Sequence, residues 1–165
     1  WTDTIKKLEL EGYQMIPSTK CWDICTSKYL TDILCKEAGL RTPKTVPISY
    51  SEDTDRAVKE LNTKFPIILK ASTGTQTGVG VVIIESLRSL NAAVEMLSLH
   101  SKYLPLIIQE FIPIEYDIRV LVCENKILGA MKREVITGDG RSNVSLGADA
   151  SEIELTENEY HILLV

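Results

Sequence analysis

The chain has 165 residues, of which 44% are hydrophobic, 25% charged and 6% aromatic, the composition of an ordinary globular protein with one or two small domains. Its 18 Lys and Arg against 23 Asp and Glu give a net charge of −5, which excludes a global positive field that would attract nucleic acid or an anionic membrane. Apolar runs such as 65–69 and 104–108 are far shorter than the roughly 20 residues that cross a bilayer. We therefore expect a soluble, cytoplasmic protein with no nucleic-acid or membrane partner.

The predicted elements alternate between helices and strands over the first two thirds of the chain. Periodicity and capping residues predict a helix over 4–11 closed by Gly12, a strand over 13–16, and a helix over 26–38 closed by Gly39. Further strands are predicted over 45–49, 66–71, 81–85 and 106–112, and further helices over 53–62 and 86–100. This alternation is typical of a mixed α/β or α+β protein.

The last third of the chain opens with a predicted β-hairpin. Its strands extend over 117–124 and 126–135, a polar loop follows over 136–147, and a final helix begins with Thr156 as its N-cap. Pro113 and a short irregular stretch interrupt the strands, so we expect a seam between two structural units near residues 110–116.

The most informative segment is a glycine-rich loop between two buried strands. Lys70 lies near the end of the first strand, and residues 72–80 then contain three Gly, three Thr and one Ser. Close backbone N–H groups and hydroxyls are what polyphosphate oxygens require, and a lysine at the strand end can reach the same anion. The segment is not a Walker loop, because no Gly-Lys-Ser/Thr closes it and a strand follows it. Phosphate binding and a merely flexible hairpin loop both remain compatible with this segment alone.

Three further polar features each allow a structural and a functional interpretation. The pair Gln109-Glu110 in an apolar strand is either a water-facing edge or a hinge whose backbone pairs with a base. If Asn125-Lys126 is a two-residue turn, the hairpin pairs Arg119 with Lys132 and Asp117 with Glu134. Opposed cations favour a phosphate or carboxylate between them, whereas a one-residue shift would separate the pair on a solvated face. The polar stretch 138–143 is either a bare turn or a loop whose Arg141 closes over phosphates.

Taken in this order, these segments resemble the ATP-grasp superfamily, and most closely its α-L-glutamate ligase branch of the RimK type. The resemblance covers about residues 8–158 and depends on Lys70 with 74–81, on 109–112, on 117–119, on 132–133 and on 140–143. The loop reads Gly-Thr-Gln-Thr-Gly-Val-Gly, where the branch commonly has Gly-Thr-Gln-Gly-Ile-Gly. The resemblance implies an ATP-grasp fold, which is α+β (mixed α/β), with the nucleotide between two α+β lobes. Residues 1–25 would end an N-terminal domain, 26–110 would form the central subdomain, and 111–165 would begin a C-terminal subdomain that is incomplete.

The resemblance also implies roles for individual residues. Lys28 and Lys70 would bind the nucleotide phosphates with the loop residues Gln76 and Gly78. Glu110 and Phe111 would contact the adenine, and Asp117 would hold the ribose. The remaining residues would close over the nucleotide (Arg141, Ser142, Asn143) or stabilise the phosphoryl group and the carboxylate that accepts it (Arg119, Lys132, Arg133).

The activity that the resemblance implies is an ATP-dependent carboxylate–amine ligase. ATP, a carboxylate and an amine would give an amide, ADP and phosphate through an acyl phosphate, with catalysis by positioning and charge stabilisation. The implied cofactors are ATP and Mg²⁺, but Asp139 and Asp149 do not match the family's metal-ligand positions, so those ligands are expected outside this chain. The expected partners are an amino-acid or protein/peptide acceptor and other copies of the chain in a homo-oligomer. The alternatives are a non-catalytic nucleotide-binding fragment and a degenerate ATP-grasp scaffold that acts as an interaction protein.

Overall fold

The computed structural model describes residues 2–49, 53–73, 80–100, 104–123, 126–135, 147–157 and 159. Its helices are α1 (Thr2–Leu10), α2 (Thr19–Thr26), α3 (Lys28–Glu37), α4 (Thr54–Leu61) and α5 (Leu87–His100). Its strands are β1 (Thr45–Ile48), β2 (Ile67–Ala71), β3 (Val81–Ile84), β4 (Leu106–Glu110), β5 (Tyr116–Cys123), β6 (Lys126–Glu134) and β7 (Ala150–Glu152). In these ranges no helix is both long and apolar enough to cross a membrane.

The first sheet is antiparallel, with the strand order β1-β4-β2-β3. One face forms the hydrophobic core, because alternate strand residues are apolar and buried there: Val46, Ile48, Ile67, Leu69, Ala71, Ile84, Leu106 and Ile108. The apolar sides of α4 and α5 complete this core with Ala57, Leu61, Leu90 and Val94. The intervening strand residues, Lys70 and Gln109 among them, therefore lie on the other face.

The second sheet is an antiparallel meander with the order β5-β6-β7. Its register shifts between Leu121 and Val122, which pair with Gly129 and Ile127, so that Leu128 has no residue opposite it. A β-bulge of this kind displaces all later pairs by one residue.

The predicted pairing of the hairpin was wrong. At its end Cys123 pairs with Lys126 instead of Leu128, a shift of two residues, and the bulge reduces the shift to one along the rest of β5. Arg119 lies opposite Met131 instead of Lys132, and Asp117 lies opposite Arg133 instead of Glu134. Because side chains alternate between the two faces of a sheet, the shift also exchanges the faces on which partners meet. The opposed pair of cations does not form, and an oppositely charged pair takes its place.

The first 26 residues also differ from the prediction. The predicted strand over 13–16 is wrong: this segment is irregular, Ile16 is 90% exposed, and no strand in the described part of the chain lies beside it. A strand needs a neighbour that accepts and donates its backbone hydrogen bonds. Helix α2 was not predicted, although Ser18 is a typical N-cap whose side chain accepts a hydrogen bond from Cys21 N at 3.2 Å.

Several predicted helix ends are confirmed. Gly12 and Gly39 follow α1 and α3 with φ of 94° and 77°, in the left-handed region that glycine tolerates best. Thr156 and Glu159 form a capping box, in which Thr156 N donates to Glu159 Oε2 at 2.8 Å and Glu159 N donates to Thr156 Oγ1 at 3.4 Å. Strand β7, just before this box, was not predicted.

Candidate functional site

The face of the first sheet that points away from the core carries a directed chain of hydrogen bonds. Lys70 Nζ donates to Gln109 Oε1 at 2.6 Å, and Gln109 Nε2 donates to Thr45 Oγ1 at 2.7 Å. Thr45 Oγ1 in turn donates to the Pro43 carbonyl at 3.0 Å. Because Gln109 accepts on one side and donates on the other, its amide orientation is set, and it holds the Lys70 ammonium over this face.

The N-terminus of α3 is joined to the start of the glycine-rich loop. Ser27 caps the helix with its side chain, so that Lys28 is the first helical residue. Lys28 N donates to the Ser72 carbonyl at 2.8 Å, and Ser72 N donates to the Pro105 carbonyl at 2.7 Å. Ser72 is buried and lies two residues after Lys70. The fold therefore brings the beginning of α3 to the end of β2, where the loop leaves the sheet.

Both lysines at this junction have a lowered pKa. Burial lowers the pKa of Lys28. Burial also lowers the pKa of Lys70, the charge of Lys28 lowers it further, and Asp32 raises it. The structure thus brings Lys28 and Lys70 together as two partly desolvated ammonium groups, an arrangement that an anion lying between them would stabilise.

Glu110 ends strand β4 and is bonded to the segment before β1. Its Oε1 accepts from Lys44 N at 2.9 Å, and its own N–H donates to the Lys44 carbonyl at 3.0 Å. By register it lies opposite Ile67, on the face of the sheet that does not carry Lys70. Both hydrogen bonds thus connect the end of β4 with the residue that precedes β1. A contact of Glu110 with an adenine, like that of the half-buried Phe111, stays a prediction.

One face of the second sheet brings together three of the predicted residues. Arg133 donates from Nε to Asp117 Oδ1 at 2.6 Å and from a terminal nitrogen to Asp117 Oδ2 at 2.8 Å. Arg119 lies diagonally from Arg133 on the same face and is exposed. A bidentate pair of this geometry fixes the plane of the guanidinium, so Arg133 is held in position while Arg119 extends towards solvent.

Lys132 lies on the opposite face of this sheet, away from Arg119 and Arg133. Its Nζ lies 2.8 Å from Glu134 Oε1 and 4.5 Å from the centre of the Tyr116 ring. The hydrogen bond to Glu134 raises the pKa of Lys132. The structure does not bring the three predicted catalytic cations together.

Five of the predicted site residues lie outside the described residues: Gln76, Gly78, Arg141, Ser142 and Asn143. Within the described ranges, no group of three or more His, Cys, Asp and Glu side chains could hold a metal ion.

The sequence interpretation assigned no role to Asp32 or Thr45, and it did not foresee that Gln109 bonds Lys70. The spacing of Lys28, Asp32 and Lys36, each four residues apart on a helix, is the signal that could have placed Asp32 beside Lys28. The contact between Gln109 and Lys70 depends on the pairing of two strands far apart in the sequence, which no local pattern indicates.

Solved structures with a similar architecture show the fold of this chain. The chain superposes on the ADP complex of N5-carboxyaminoimidazole ribonucleotide synthetase with a TM-score of 0.68 and 18% identity, over 83% of this chain and 36% of that one. It superposes on the ATP-grasp ligase PsnB, solved with its minimal precursor, Mg and ADP, with a TM-score of 0.64 and 18% identity, over 99% of this chain and 48% of that one. The chain has the α+β architecture of the ATP-grasp fold, which confirms the predicted fold class.

Sequence comparison identifies the family. Residues 26–165 match the model of the RimK-like ATP-grasp domain, and the chain belongs to this family, as the resemblance implied. A relative from Vibrio atlanticus (strain LGP32), named "Probable alpha-L-glutamate ligase", is 30% identical over 96% of this chain and 52% of its own length. A relative of the same name from Xanthomonas axonopodis pv. citri (strain 306) is 34% identical over 75% of this chain and 41% of its own length. The chain thus spans about half the length of the curated relatives that it matches.

Proposed function

We propose that this chain forms the nucleotide-binding part of an ATP-dependent carboxylate–amine ligase. The observation that supports this most directly is the convergence of Lys28 and Lys70 at the start of the glycine-rich loop, within a RimK-like ATP-grasp domain. Two desolvated ammonium groups beside a loop rich in Gly and Thr suit a triphosphate. We also propose that 1–25, 26–110 and 111–165 are the structural units of this site, since the first sheet ends at Glu110 and the second begins at Tyr116.

In this proposal the residues of the chain act by binding and orienting. Lys70, held by Gln109, and Lys28, held at the N-terminus of α3, bind phosphate oxygens from two sides. Arg133, oriented by Asp117, places a fixed guanidinium where charge develops on the transferred phosphoryl group. Arg119, on the same face and exposed, binds the carboxylate that accepts the phosphoryl group. Gln76, Gly78, Phe111, Arg141, Ser142 and Asn143 complete the nucleotide contacts.

ATP supplies the phosphoryl group that turns an unreactive carboxylate into an acyl phosphate, which an amine then attacks to form a C–N bond. The names of the relatives favour an amino acid as one reactant and an amino acid, peptide or protein as the other. Mg²⁺ would supply further charge stabilisation to the phosphates of the nucleotide, and we propose that its protein ligands lie outside this chain, since Asp139 and Asp149 do not match the family's ligand positions.

A calorimetric titration of the protein with ATP, with and without Mg²⁺, tests this proposal. We expect saturable binding, and release of ADP and phosphate that requires both a carboxylate and an amine. A folded protein that does not bind ATP would contradict the proposal and favour the scaffold alternative. Binding without turnover under any acceptor would favour the non-catalytic nucleotide-binding alternative.

Nucleotide binding is expected to take up protons at alkaline pH. Burial lowers the pKa of Lys70 and Lys28 in the empty site, and approaching phosphates stabilise the charged forms and raise these pKa values again. Between the lowered and the raised pKa, the complex therefore holds more protons than the free protein. Calorimetry in buffers of different ionisation enthalpy measures this uptake directly.

The matched variant for this measurement is Lys70→Arg, because a guanidinium keeps its charge over the whole range. We expect the uptake to fall in this variant. Equal uptake in the variant and in the unmodified protein would mean that Lys70 does not titrate on binding.

A further inference from the structure

One buried carboxylate beside the two lysines has no part in the function proposed above. Asp32 lies on α3, one turn after Lys28 and one turn before Lys36, and is only 7% exposed. Its Oδ2 accepts from Lys36 Nζ at 2.7 Å. Its Oδ1 is buried and has no hydrogen-bond partner among the described residues. A buried carboxylate oxygen without a hydrogen-bond partner is energetically costly. An ion pair between Asp32 and Lys36 on a helix surface would need neither this burial nor an oxygen without a partner, so the pair alone does not explain the position of Asp32.

The position of Asp32 relates this carboxylate to the charges of the site. The hydrogen bond from Lys28 N to the Ser72 carbonyl joins α3 to the end of β2, so that the first turns of α3 lie beside Lys70. The groups of the described residues that act on the Lys70 ammonium are Lys28 and Asp32 from α3, and the neutral Gln109 from β4. Gln109, the hydrogen-bond partner of Lys70, therefore offers no negative charge, whereas Asp32 does.

We propose that Asp32 is the counter-ion of Lys70 in the empty site, and that phosphate oxygens take over this role when a nucleotide binds. The inference rests on the proposed function and adds a positioning residue to it. Asp32 acts through Lys70: the charge of its carboxylate offsets the repulsion from Lys28, so that the Lys70 ammonium stays charged and in place while no anion is bound. Lys36 donates a hydrogen bond to Oδ2 and so balances part of the charge of this carboxylate.

The experiment is the pH dependence of ATP affinity in Asp32→Asn, measured by calorimetry next to the unmodified protein. Lys70 must be protonated to bind phosphate, so affinity falls as the pH rises through its pKa. Asp32 raises the pKa of Lys70, so without its charge the fall begins at lower pH. A displacement of one pH unit makes the affinity on the alkaline side about tenfold lower than that of the unmodified protein.

Three matched variants separate this role from a structural one. Asp32→Glu keeps the charge and should restore the profile of the unmodified protein. Lys36→Met removes the hydrogen-bond donor of the Asp32 carboxylate but leaves the carboxylate charged. In this variant ATP affinity should fall at the same pH as in the unmodified protein or at a higher pH. In a Lys70→Arg background, Asp32→Asn should no longer displace the profile, because the guanidinium does not titrate.

An unchanged pH profile in folded Asp32→Asn overturns the inference, as does a displacement to lower pH in Lys36→Met. The second result decides the question even if Asp32→Asn does not fold. If the unmodified protein does not bind ATP at any pH, the proposed function fails first, and the inference fails with it. Thermal unfolding of each variant shows whether a loss of affinity comes from a loss of structure.

Discussion

Replacing Lys70 by alanine is expected to weaken ATP binding about a hundredfold and to leave the protein folded. The Lys70 ammonium is partly buried, and Gln109 holds it on the face of the first sheet that points away from the core. A hydrogen bond between charged groups contributes about 1.5–3 kcal/mol, and the upper part of that range corresponds to a hundredfold in affinity. Because Lys70 lies away from the core face, its truncation removes no packing around Leu69 or Ile108. Calorimetric titration with ATP measures the loss.

The control for this prediction is Lys59→Ala. Lys59 is an exposed lysine in the last turn of α4, on the side of the sheet that faces away from Lys70. It contributes the same formal charge to the protein, so a long-range effect of net charge would appear in both variants. Undiminished ATP affinity in Lys70→Ala, or an equal loss in Lys59→Ala, would contradict the assignment of Lys70 to the phosphate site.

Replacing Arg133 by methionine is expected to reduce the turnover of ATP at least about a hundredfold, whereas Lys132→Met should change it by less than about threefold. The two residues are neighbours in sequence, but they lie on opposite faces of β6. Arg133 shares a face with Arg119 and is fixed by Asp117, while Lys132 is paired with Glu134 over the Tyr116 ring. The measurement is kcat and KM for phosphate release from ATP.

Arg133→Met also removes one partner of a charge pair that is mostly shielded from solvent, with side chains 18% and 28% exposed. The Asp117 carboxylate left behind destabilises the fold, so thermal unfolding must accompany the kinetics. The double variant Asp117→Asn with Arg133→Met removes the carboxylate together with the guanidinium: its stability should exceed that of Arg133→Met, and its turnover should not recover. A larger loss of turnover in Lys132→Met than in Arg133→Met would show that the catalytic face of the sheet has been assigned wrongly.

Much of the first sheet could be predicted because its local signals agree with one another. Residues 66–71 and 81–85 are runs of β-branched and aliphatic residues bounded by Pro, Gly and Ser, and they form β2 and β3 within a residue or two of the predicted ends. Gly12 and Gly39 close their helices as predicted. Such signals act over a few residues, and the sequence contains them in full.

The register of the hairpin could not be predicted in the same way. At the end of the hairpin Cys123 pairs with Lys126, two residues away from the pairing that a turn at 125–126 gives, and the bulge at Leu128 takes back one of these two residues. Leu128 resembles its apolar neighbours, so no local pattern marks the bulge. The assumed turn placed Arg119 and Lys132 on one face of the hairpin. In the structure Arg119 shares its face with Arg133 instead, and Lys132 lies on the other face. The failed strand over 13–16 has another cause: its largely apolar residues suit a strand, but the described part of the chain provides no neighbour for it.

The chemistry of the candidate site stays a prediction, and its contacts could not be predicted from the sequence. The residue types of the glycine-rich segment and Lys70 allowed phosphate binding as one of two interpretations, and the family resemblance favoured it and added Lys28. The burial of Asp32 and the bond between Lys70 and Gln109 arise from the packing of α3 and β4, which are distant in sequence from β2. Side chains that act through another residue leave no motif, because their spacing is set by the fold.

Strand β2 divides its two duties between alternate residues. Ile67, Leu69 and Ala71 belong to the core, whereas Ile68 and Lys70 lie on the opposite face of the sheet. Substitutions at Ile67, Leu69 or Ala71 change the folding equilibrium, whereas a substitution at Lys70 changes the proposed phosphate contact, although the two kinds of residue alternate along one strand. In the proposed site, a lineage can therefore alter what Lys70 contacts without rebuilding the core that holds the strand in place.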